Sequence, residues 1–259
     1  MTLRSLLEPL YFRILRSSIT HIPTHIAIIM DGNRRYAKER GQKTGFGHRQ
    51  GANTTETMLE WAREFGIKHI TLYAFSTENF RRSEEELAEL FELFKDRFLK
   101  VLNDERVHRN KIRVRMVGDK NLLPYDVLSC IEEAEEATKE YSNHYLNVAI
   151  AYGGRNEIVH AARRLVSQVR AGTLRSDEIT PAMVEENLYG GLGLPPVDLI
   201  IRTGNEYRTS NFLPWLANGN ESSVYFCAPY WPQFRKIDLL RAIRVYDQRR
   251  RSGPKPSCP

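Results

Sequence analysis

The chain has 259 residues and a formal net charge of +6, because 38 Lys and Arg outnumber 32 Asp and Glu. Its 41% hydrophobic and 27% charged residues are typical of a globular protein and exclude a disordered or fibrous one. The longest apolar run is about five residues, far short of the roughly 20 that span a bilayer, and no secretory signal is evident.

The excess of positive charge suits an anionic substrate or an anionic membrane surface. We expect no nucleic-acid partner, because basic and acidic residues are interspersed and no aromatic–basic RNA motif is present. The three cysteines, Cys130, Cys227 and Cys258, lack the paired spacing of a zinc site or a disulfide framework. We therefore expect a cytoplasmic protein in a reducing compartment, and peripheral contact with a membrane stays open.

Residues 1–22 are predicted to form an amphipathic N-terminal arm. Apolar side chains recur at helical spacing, and arginines lie between them. A basic amphipathic helix either lies on a membrane surface or packs on the body of the protein, and the sequence leaves both outcomes open. The apolar positions are Leu3, Leu6, Leu7, Leu10, Tyr11, Ile14 and Leu15.

Strand-like and helix-like segments alternate along residues 23–246, which we predict to be the catalytic domain. This alternation predicts an α/β fold, a single domain with a mostly parallel central sheet of about six strands covered by helices. Residues 247–259 form a basic, proline-containing tail. Predicted strands span 25–30, 69–75, 112–117, 146–152, 198–202 and 224–226, and predicted helices span 34–41, 47–65, 84–104, 121–141, 155–171, 180–189 and 236–249.

The end of the first predicted strand carries the strongest functional signal. An apolar run over 26–30 stops at Asp31, and Gly32 and Asn33 lead into a helical segment with two arginines in its first turn. In open α/β sheets, ligands bind beyond the carboxyl ends of the strands, and the backbone amides that begin a helix attract anions. A carboxylate beside such amides indicates a bridging divalent cation. The alternative is a helix cap without a ligand.

Two more polar segments, 73–83 and 201–215, also follow predicted strands. If the three loops meet at one edge of the sheet, they gather several arginines. Such a group needs anions between its members, and the planar guanidinium suits phosphate. The sequence therefore predicts a site for phosphorylated ligands. The arginines concerned are Arg35, Arg82, Arg202 and Arg208.

Eight segments in order along the chain carry a family resemblance: HIAIIMDGNRRYA at 25–37, FGHRQG at 46–51, LYAFSTENF at 72–80, VGD at 117–119, AYGGR at 151–155, DLIIRTG at 198–204, SNFLPW at 210–215 and WPQF at 231–234. With them the chain resembles the cis-prenyltransferase family of the undecaprenyl diphosphate synthase type, in its archaeal and eukaryotic branch. The resemblance covers nearly the whole chain, from His25 to Gly253.

The resemblance implies cis-prenyl chain elongation. In this reaction isopentenyl diphosphate condenses repeatedly with an allylic diphosphate to give a medium-to-long polyprenyl diphosphate, the precursor of a lipid carrier. The resemblance also implies Mg²⁺, a homodimer and an apolar tunnel for the product. In the family, the helix that corresponds to the predicted helix 84–104 forms a wall of that tunnel. This helix carries an apolar stripe, and such a stripe is ordinarily part of a hydrophobic core.

Roles for individual residues follow from the same resemblance. Asp31 would hold Mg²⁺, and Asn79 would accept or relay the proton that leaves after condensation. Because an amide is a poor base, water or a diphosphate oxygen is the better final proton acceptor. The first loop and His48 would bind the allylic diphosphate, and Arg202, Arg208 and Ser210 would bind isopentenyl diphosphate. The full implied substrate-binding set is Gly32, Asn33, Arg34, Arg35, Tyr36, His48, Ser76, Thr77, Glu78, Phe80, Arg82, Arg202, Arg208, Thr209 and Ser210.

The chain departs from the family pattern at three positions, the first of which is Arg34, where bacterial members have glycine. Thr44 stands where many members have a diphosphate-binding arginine, and Ser223 stands where bacterial members have a second metal-binding glutamate. Glu221, two residues earlier, either is shifted into that place by a bulge or takes no part. In the tail, Arg251 and Gly253 match a family motif that reaches into the site of the partner subunit.

Two alternative functions stay open at this point. One is a non-catalytic subunit that binds polyprenyl chains and stabilises an active homologue. The other is a prenyltransferase whose acceptor is not isopentenyl diphosphate.

Overall fold

A computed structural model describes residues 3–191, 193–217 and 222–253. Within these ranges the chain forms two compact units. The first takes the residues up to His69, then Val197–Tyr207, then those after Gly219, and the second takes Ile70–Pro196 and Arg208–Asn218. The elements in chain order are α1 (Leu3–Ser18), β1 (His25–Ile29), α2 (Asn33–Glu39), α3 (Thr44–Glu64), β2 (His69–Tyr73), α4 (Glu84–Asn103), α5 (Glu105–Arg109), β3 (Ile112–Val117), α6 (Tyr125–Ala137), β4 (His144–Ala149), α7 (Gly154–Arg170), α8 (Pro181–Asn187), β5 (Leu199–Arg202), β6 (Ser223–Phe226) and α9 (Lys236–Arg251).

The strands belong to a six-stranded sheet, and in the first unit their order is β1-β5-β6. Both pairs are parallel, with Ile28 beside Ile201 and Ile200 beside Val224. All five residues of β1 are buried, as expected of a parallel strand covered on both faces. Helix α9 packs on β5 and β6, and α1 packs on α9. The arm is therefore docked on the body of this unit, with Leu15 fully buried.

In the second unit the strand order is β3-β4-β2, and β3 and β4 are parallel, with Val114 beside Leu146. The apolar stripe of α4 lies in the core of this unit. Its residues Leu90, Phe94 and Phe98 are buried in one cluster with residues of β3 and α6. The ordinary interpretation of the stripe as core is therefore correct for these positions, and the tunnel stays a prediction.

The predicted α/β class with six parallel strands is confirmed, while several element boundaries differ. Helix α6 begins at Tyr125 rather than at 121, because Pro124 occupies the N-cap position and proline fixes the backbone at a helix start. Helix α3 begins at Thr44 rather than at 47, and β4 spans His144–Ala149 rather than 146–152. Helix α9 continues to Arg251, past the predicted start of the tail at residue 247. No helix among the described residues is long and apolar enough to cross a membrane.

Candidate functional site

In the first unit, Asp31 is held between two arginines just beyond the carboxyl end of β1. Arg35 Nη2 lies 3.1 Å from Asp31 Oδ1, and Arg202 Nη2 lies 2.9 Å from Asp31 Oδ2. Arg35 Nη1 also lies 3.6 Å from Glu206 Oε1. We call these four residues, Asp31, Arg35, Arg202 and Glu206, the Asp31 cluster. The side chain of Arg202 is only 4% exposed, whereas that of Asp31 is 28% exposed. The Asp31 carboxylate therefore reaches solvent on one side and contacts the buried Arg202 guanidinium on the other.

The backbone around Asp31 is fixed by hydrogen bonds from distant parts of the chain. The Asp31 carbonyl accepts the hydroxyl of Thr203 at 2.7 Å and the backbone N–H of Trp231 at 2.9 Å. Gly32 then turns the chain into α2 with φ of +105°, a conformation that favours glycine. The side chain of Asp31 therefore projects from a rigid turn, which is the preorganisation that a charge-stabilising group needs.

Helices α2 and α3 approach so closely that only glycine fits between them. A Cβ atom on Gly47 would lie 2.0 Å from the Asn33 carbonyl oxygen, and one on Gly51 would lie 2.4 Å from Asn33 Oδ1. Asn33 Oδ1 is buried without a hydrogen-bond partner. His48 lies in α3 between these glycines and is itself buried. Tyr36 stacks on Phe46 with ring centroids 6.2 Å apart.

The donor set of the Asp31 cluster fits a Mg²⁺ ion shared with a diphosphate. Magnesium is commonly bound by one or two carboxylates together with substrate phosphate oxygens, and Asp31 is a partly exposed carboxylate beside two guanidinium groups. The described residues contain no group of three or more His, Cys, Asp or Glu side chains suited to a metal. Glu221, the second predicted ligand, lies outside the described residues.

In the second unit, Asn79 closes the loop that follows β2. Its Oδ1 accepts the backbone N–H of Ser76 at 3.0 Å, and Asn79 N–H donates to the Ser76 carbonyl at 3.0 Å. Because the amide oxygen already accepts a hydrogen bond, the side chain holds the loop and presents its NH₂ group as a donor. This geometry supports a relaying or positioning role better than that of a base. Phe80 anchors the same loop by an edge-to-face contact with Phe75.

The carboxyl of Glu78 is kept ionised in this loop. Burial alone would raise its pKa, but hydrogen bonds from its own backbone, from Ser76, Thr77 and Asn211 outweigh that effect and lower the pKa. The loop around residue 211 is thereby linked to the Ser76–Asn79 loop. In the loop around residue 211, three residues that are not glycine have a positive φ, namely Ser210, Asn211 and Leu213. Such strain is typical of functional sites.

Asn211 also holds the start of α7. Its carbonyl accepts the Gly154 N–H and its Oδ1 accepts the Arg155 N–H, both at 2.9 Å. Arg208, Thr209 and Ser210 precede it in the same loop and are exposed. The predicted acceptor-binding residues of the second unit are therefore presented to solvent on a loop that is anchored at its far end.

Sequence reasoning missed a buried acid in the first turn of α7. Glu157 accepts a hydrogen bond from the Tyr152 hydroxyl, and both side chains are almost fully buried. Burial raises the pKa of Glu157 to about 7 despite hydrogen bonds from Tyr152 and from the Tyr189 backbone. The available signal was Glu157 itself, two residues after the AYGGR segment. It was missed because a carboxylate is rare at a buried position.

Three of the four arginines predicted to gather at the site each pair with an acid inside their own unit. Arg35 and Arg202 share Asp31, whereas Arg82 pairs with Glu86 of α4 at 3.0 Å. Arg34 is exposed at the start of α2. The gathering of all four arginines stays a prediction. At the C-terminus Arg251 pairs with Asp247 at 2.9 Å and donates to the Ser18 carbonyl.

Comparisons with known proteins give consistent relatives. The model of a family described as "Putative undecaprenyl diphosphate synthase" matches residues 29–253. A protein of Methanosarcina mazei named tritrans,polycis-undecaprenyl-diphosphate synthase (geranylgeranyl-diphosphate specific) is 50% identical over 244 residues, which cover 93% of this chain and 82% of that protein. A protein of the same name from Archaeoglobus fulgidus is 52% identical over 229 residues, with coverage of 88% and 90%.

Solved structures agree with the sequence relatives. Lavandulyl diphosphate synthase from Lavandula x intermedia, in complex with dimethylallyl diphosphate, superposes with a TM-score of 0.82 and 36% identity over 87% of this chain and 95% of that chain. A probable undecaprenyl diphosphate synthase from Campylobacter jejuni gives a TM-score of 0.70 and 32% identity over 88% and 96%.

Proposed function

Because the chain belongs to the cis-prenyltransferase family of the undecaprenyl diphosphate synthase type, we propose that it elongates an allylic diphosphate with isopentenyl diphosphate. The observation that carries this proposal is the Asp31 cluster. A partly exposed carboxylate between two arginines, just beyond the end of a parallel strand, is suited to a diphosphate leaving group and its cation. A partner subunit without catalysis would have no use for this arrangement.

The Asp31 cluster would bind the allylic diphosphate. Arg35 is partly exposed and would donate to the leaving diphosphate, while Arg202 holds Asp31 from its buried side. Asp31 would hold Mg²⁺ together with diphosphate oxygens. When bound, the ion supplies Lewis-acid stabilisation of the charge on the departing diphosphate. The rigid Asp31–Gly32 turn and the tight packing of α2 on α3 keep these groups in place before substrate arrives.

The loop from Arg208 to Ser210 would bind the diphosphate of the acceptor. Arg202 is the second arginine assigned to the acceptor by the family resemblance, although its Nη2 is engaged by Asp31. Arg208 is exposed, so a phosphate from solvent can reach its guanidinium and form a charge-assisted bond. After condensation a proton leaves the new carbon, and the Asn79 NH₂ group would orient the water or diphosphate oxygen that accepts it.

We further propose geranylgeranyl diphosphate as the primer and an undecaprenyl-length product. The support is the name shared by the archaeal relatives, which specifies both. The product would leave as a diphosphate precursor of a lipid carrier. Helix α4 and the aromatic side chains Phe80 and Phe91 that contact Phe75 are the candidate walls for its growing chain.

One assay tests the reaction against its alternatives. The purified protein is incubated with labelled isopentenyl diphosphate, Mg²⁺ and allylic primers of increasing length, and the products are separated by chain length. A series of long products with a geranylgeranyl primer is expected. Since the lavandulyl diphosphate synthase structure contains dimethylallyl diphosphate, that compound is also supplied alone. A product from it without isopentenyl diphosphate would indicate a different acceptor, and absence of any product would favour the non-catalytic subunit.

We propose a homodimer in which Arg251 and Gly253 serve the site of the partner subunit. The support is the family motif, and a release of Arg251 from Asp247 and Ser18 would be required. Mixing inactive Asp31→Ala and Arg251→Ala proteins tests it. If each dimer site combines residues of both chains, the mixture recovers part of the activity through mixed dimers. Two variants that stay inactive after exchange of subunits would argue against a shared site.

We propose that the protein works in the cytoplasm and contacts an anionic membrane through α1. The face of α1 away from Leu15 exposes Leu10 by 57% and Ile14 by 58%, and Arg13 is exposed beside them. Exposed leucine and isoleucine flanked by arginine favour an anionic lipid surface. Leu10→Glu with Ile14→Glu should abolish flotation with anionic vesicles. Val159→Glu with Val166→Glu, which replaces exposed apolar residues of α7, is the matched control.

A further inference from the structure

Tyr230 makes one contact with the Asp31 cluster, one with the end of α2 and one with the turn at Gly32. The Cζ atom of Arg35 lies 5.3 Å from the centroid of its ring, within the range of a cation–π interaction. The Tyr230 hydroxyl donates a hydrogen bond of 2.7 Å to Glu39 Oε1. The ring also packs on Gly32 so closely that a Cβ atom there would lie 2.6 Å from Tyr230 Cδ1.

The backbone on both sides of Tyr230 is fixed. The Pro229 carbonyl accepts the Gly204 N–H at 2.8 Å, and the Trp231 N–H donates to the Asp31 carbonyl at 2.9 Å. The indole N–H of Trp231, which is fully buried, donates to the Gly51 carbonyl at 2.8 Å. Tyr230 is therefore a rigid support, because its main chain cannot move away without breaking these bonds.

Arg35 occupies a slot that these groups form. Its guanidinium faces the Tyr230 ring, bonds Asp31, and passes over Gly204, where a Cβ atom would lie 2.6 Å from Arg35 Nη2. Glu39 lies four positions after Arg35 on α2, hence on the same face of the helix. Through its bond to the hydroxyl, Glu39 orients the ring on which the guanidinium rests.

We infer that Tyr230 is a positioning residue for the allylic-diphosphate site, with its ring face holding the Arg35 guanidinium against Asp31 and Glu39 orienting that ring. The inference rests on the proposed function in one respect, namely that Arg35 binds the allylic diphosphate. A positioning role of this kind predicts an effect on KM for the allylic substrate, because an arginine that samples other rotamers binds its phosphate less tightly.

Four variants and a control test the inference: Tyr230→Leu, Tyr230→Phe, Arg35→Ala, the Tyr230→Leu/Arg35→Ala double variant, and Tyr125→Leu. Tyr230→Leu should raise KM for the allylic diphosphate by about threefold to tenfold, the scale of a partly exposed cation–π contact, with little change in KM for isopentenyl diphosphate. Tyr230→Phe keeps the ring but loses the bond to Glu39, so its KM should lie between that of the wild type and that of Tyr230→Leu. The double variant should be no worse than Arg35→Ala alone. Tyr125, which is 86% exposed on α6, controls for loss of a tyrosine.

The outcomes separate the inference from the proposed function. If Arg35→Ala leaves the allylic KM unchanged, the assignment of Arg35 fails and the inference fails with it. If Arg35→Ala raises that KM but Tyr230→Leu does not, or if Tyr230→Leu acts equally in both backgrounds, Tyr230 does not act through Arg35 and only the inference is overturned. A Tyr230→Phe protein as impaired as Tyr230→Leu would overturn the role of the ring. Should Tyr230→Leu fail to unfold cooperatively, Tyr230→Met carries the same expectation.

Discussion

Replacing Asp31 by alanine should reduce both turnover and stability, for two separable reasons. In the proposed function the carboxylate holds the metal and faces the leaving diphosphate, so its loss should lower kcat by about 10²–10³, the scale of one missing electrostatic stabiliser. It is also the carboxylate that neutralises Arg202, whose side chain is 4% exposed. Removing one member of a buried ion pair costs about 3–5 kcal/mol.

The stability effect should be smaller than that range because Asp31 and Arg35 are partly open to solvent. We expect a loss of about 2 kcal/mol in the free energy of unfolding, which for a chain of this size lowers Tm by about 4–8 °C. Asp126→Ala is the matched control. Asp126 pairs with Lys95 at 2.7 Å but on an exposed surface, where solvent screens such pairs and they contribute little to stability.

Inorganic pyrophosphate distinguishes the metal role from a purely structural one. Without Mg²⁺, pyrophosphate should raise Tm of Asp31→Ala more than that of the wild type, because Arg35 and Arg202 have then lost the Asp31 carboxylate that competes with the anion. With Mg²⁺ the order should reverse, because only the wild type holds the ion beside the anion. Wild-type-like turnover of Asp31→Ala at saturating Mg²⁺, or an identical pyrophosphate response of the two proteins in both conditions, would refute the reasoning.

Three further predictions concern other parts of the site. Arg208→Ala should weaken isopentenyl diphosphate binding by about 1.5–3 kcal/mol, one charge-assisted bond, with less effect on the allylic substrate; a larger effect on the allylic Kd would mean that the two sites are assigned backwards. Glu221→Gln should raise the Mg²⁺ requirement in activity titrations if Glu221 is a ligand, and an unshifted titration would remove it from the site. Because burial raises the pKa of Glu157 to about 7, the folded state holds this proton more tightly than the unfolded chain, so stability should fall as pH rises from about 5 to about 7. Glu157→Gln should flatten that decline in a series of Tm measurements against pH, and an unchanged slope would show that Glu157 does not titrate there.

The sheet and the first loop could be predicted because their signals are local. Every residue of β1 after His25 is apolar, and a fully buried parallel strand has that pattern. Its abrupt end at Asp31 located the cluster. The boundaries of helices were harder to predict where one residue overrides the helical pattern of its neighbours, as Pro124 does at the start of α6. The helix α5 has only five residues, too few for a periodicity to show.

The contacts that position the site could not be predicted from the sequence because they join distant segments. Tyr230 lies 191 positions from Glu39, and Asp31 lies 171 positions from Arg202. No local pattern indicates which of the many tyrosines or arginines will meet a given partner after folding. Asn79 shows the opposite case, in which a residue with an assigned chemical role also performs a local structural one by accepting the Ser76 N–H.

Two glycines link the local sequence signals to the contacts between distant segments. Gly32 and Gly204 both have positive φ, so each is marked in the sequence by a turn that other residues adopt rarely. In the structure the same two positions are also where side chains of the site approach the backbone, Tyr230 at Gly32 and Arg35 at Gly204. An alanine would be strained at either position, and it would collide with the Tyr230 ring at residue 32 and with the Arg35 guanidinium at residue 204. The glycines after Asp31 and after Thr203 therefore shape the Asp31 cluster itself, in addition to allowing the chain to turn.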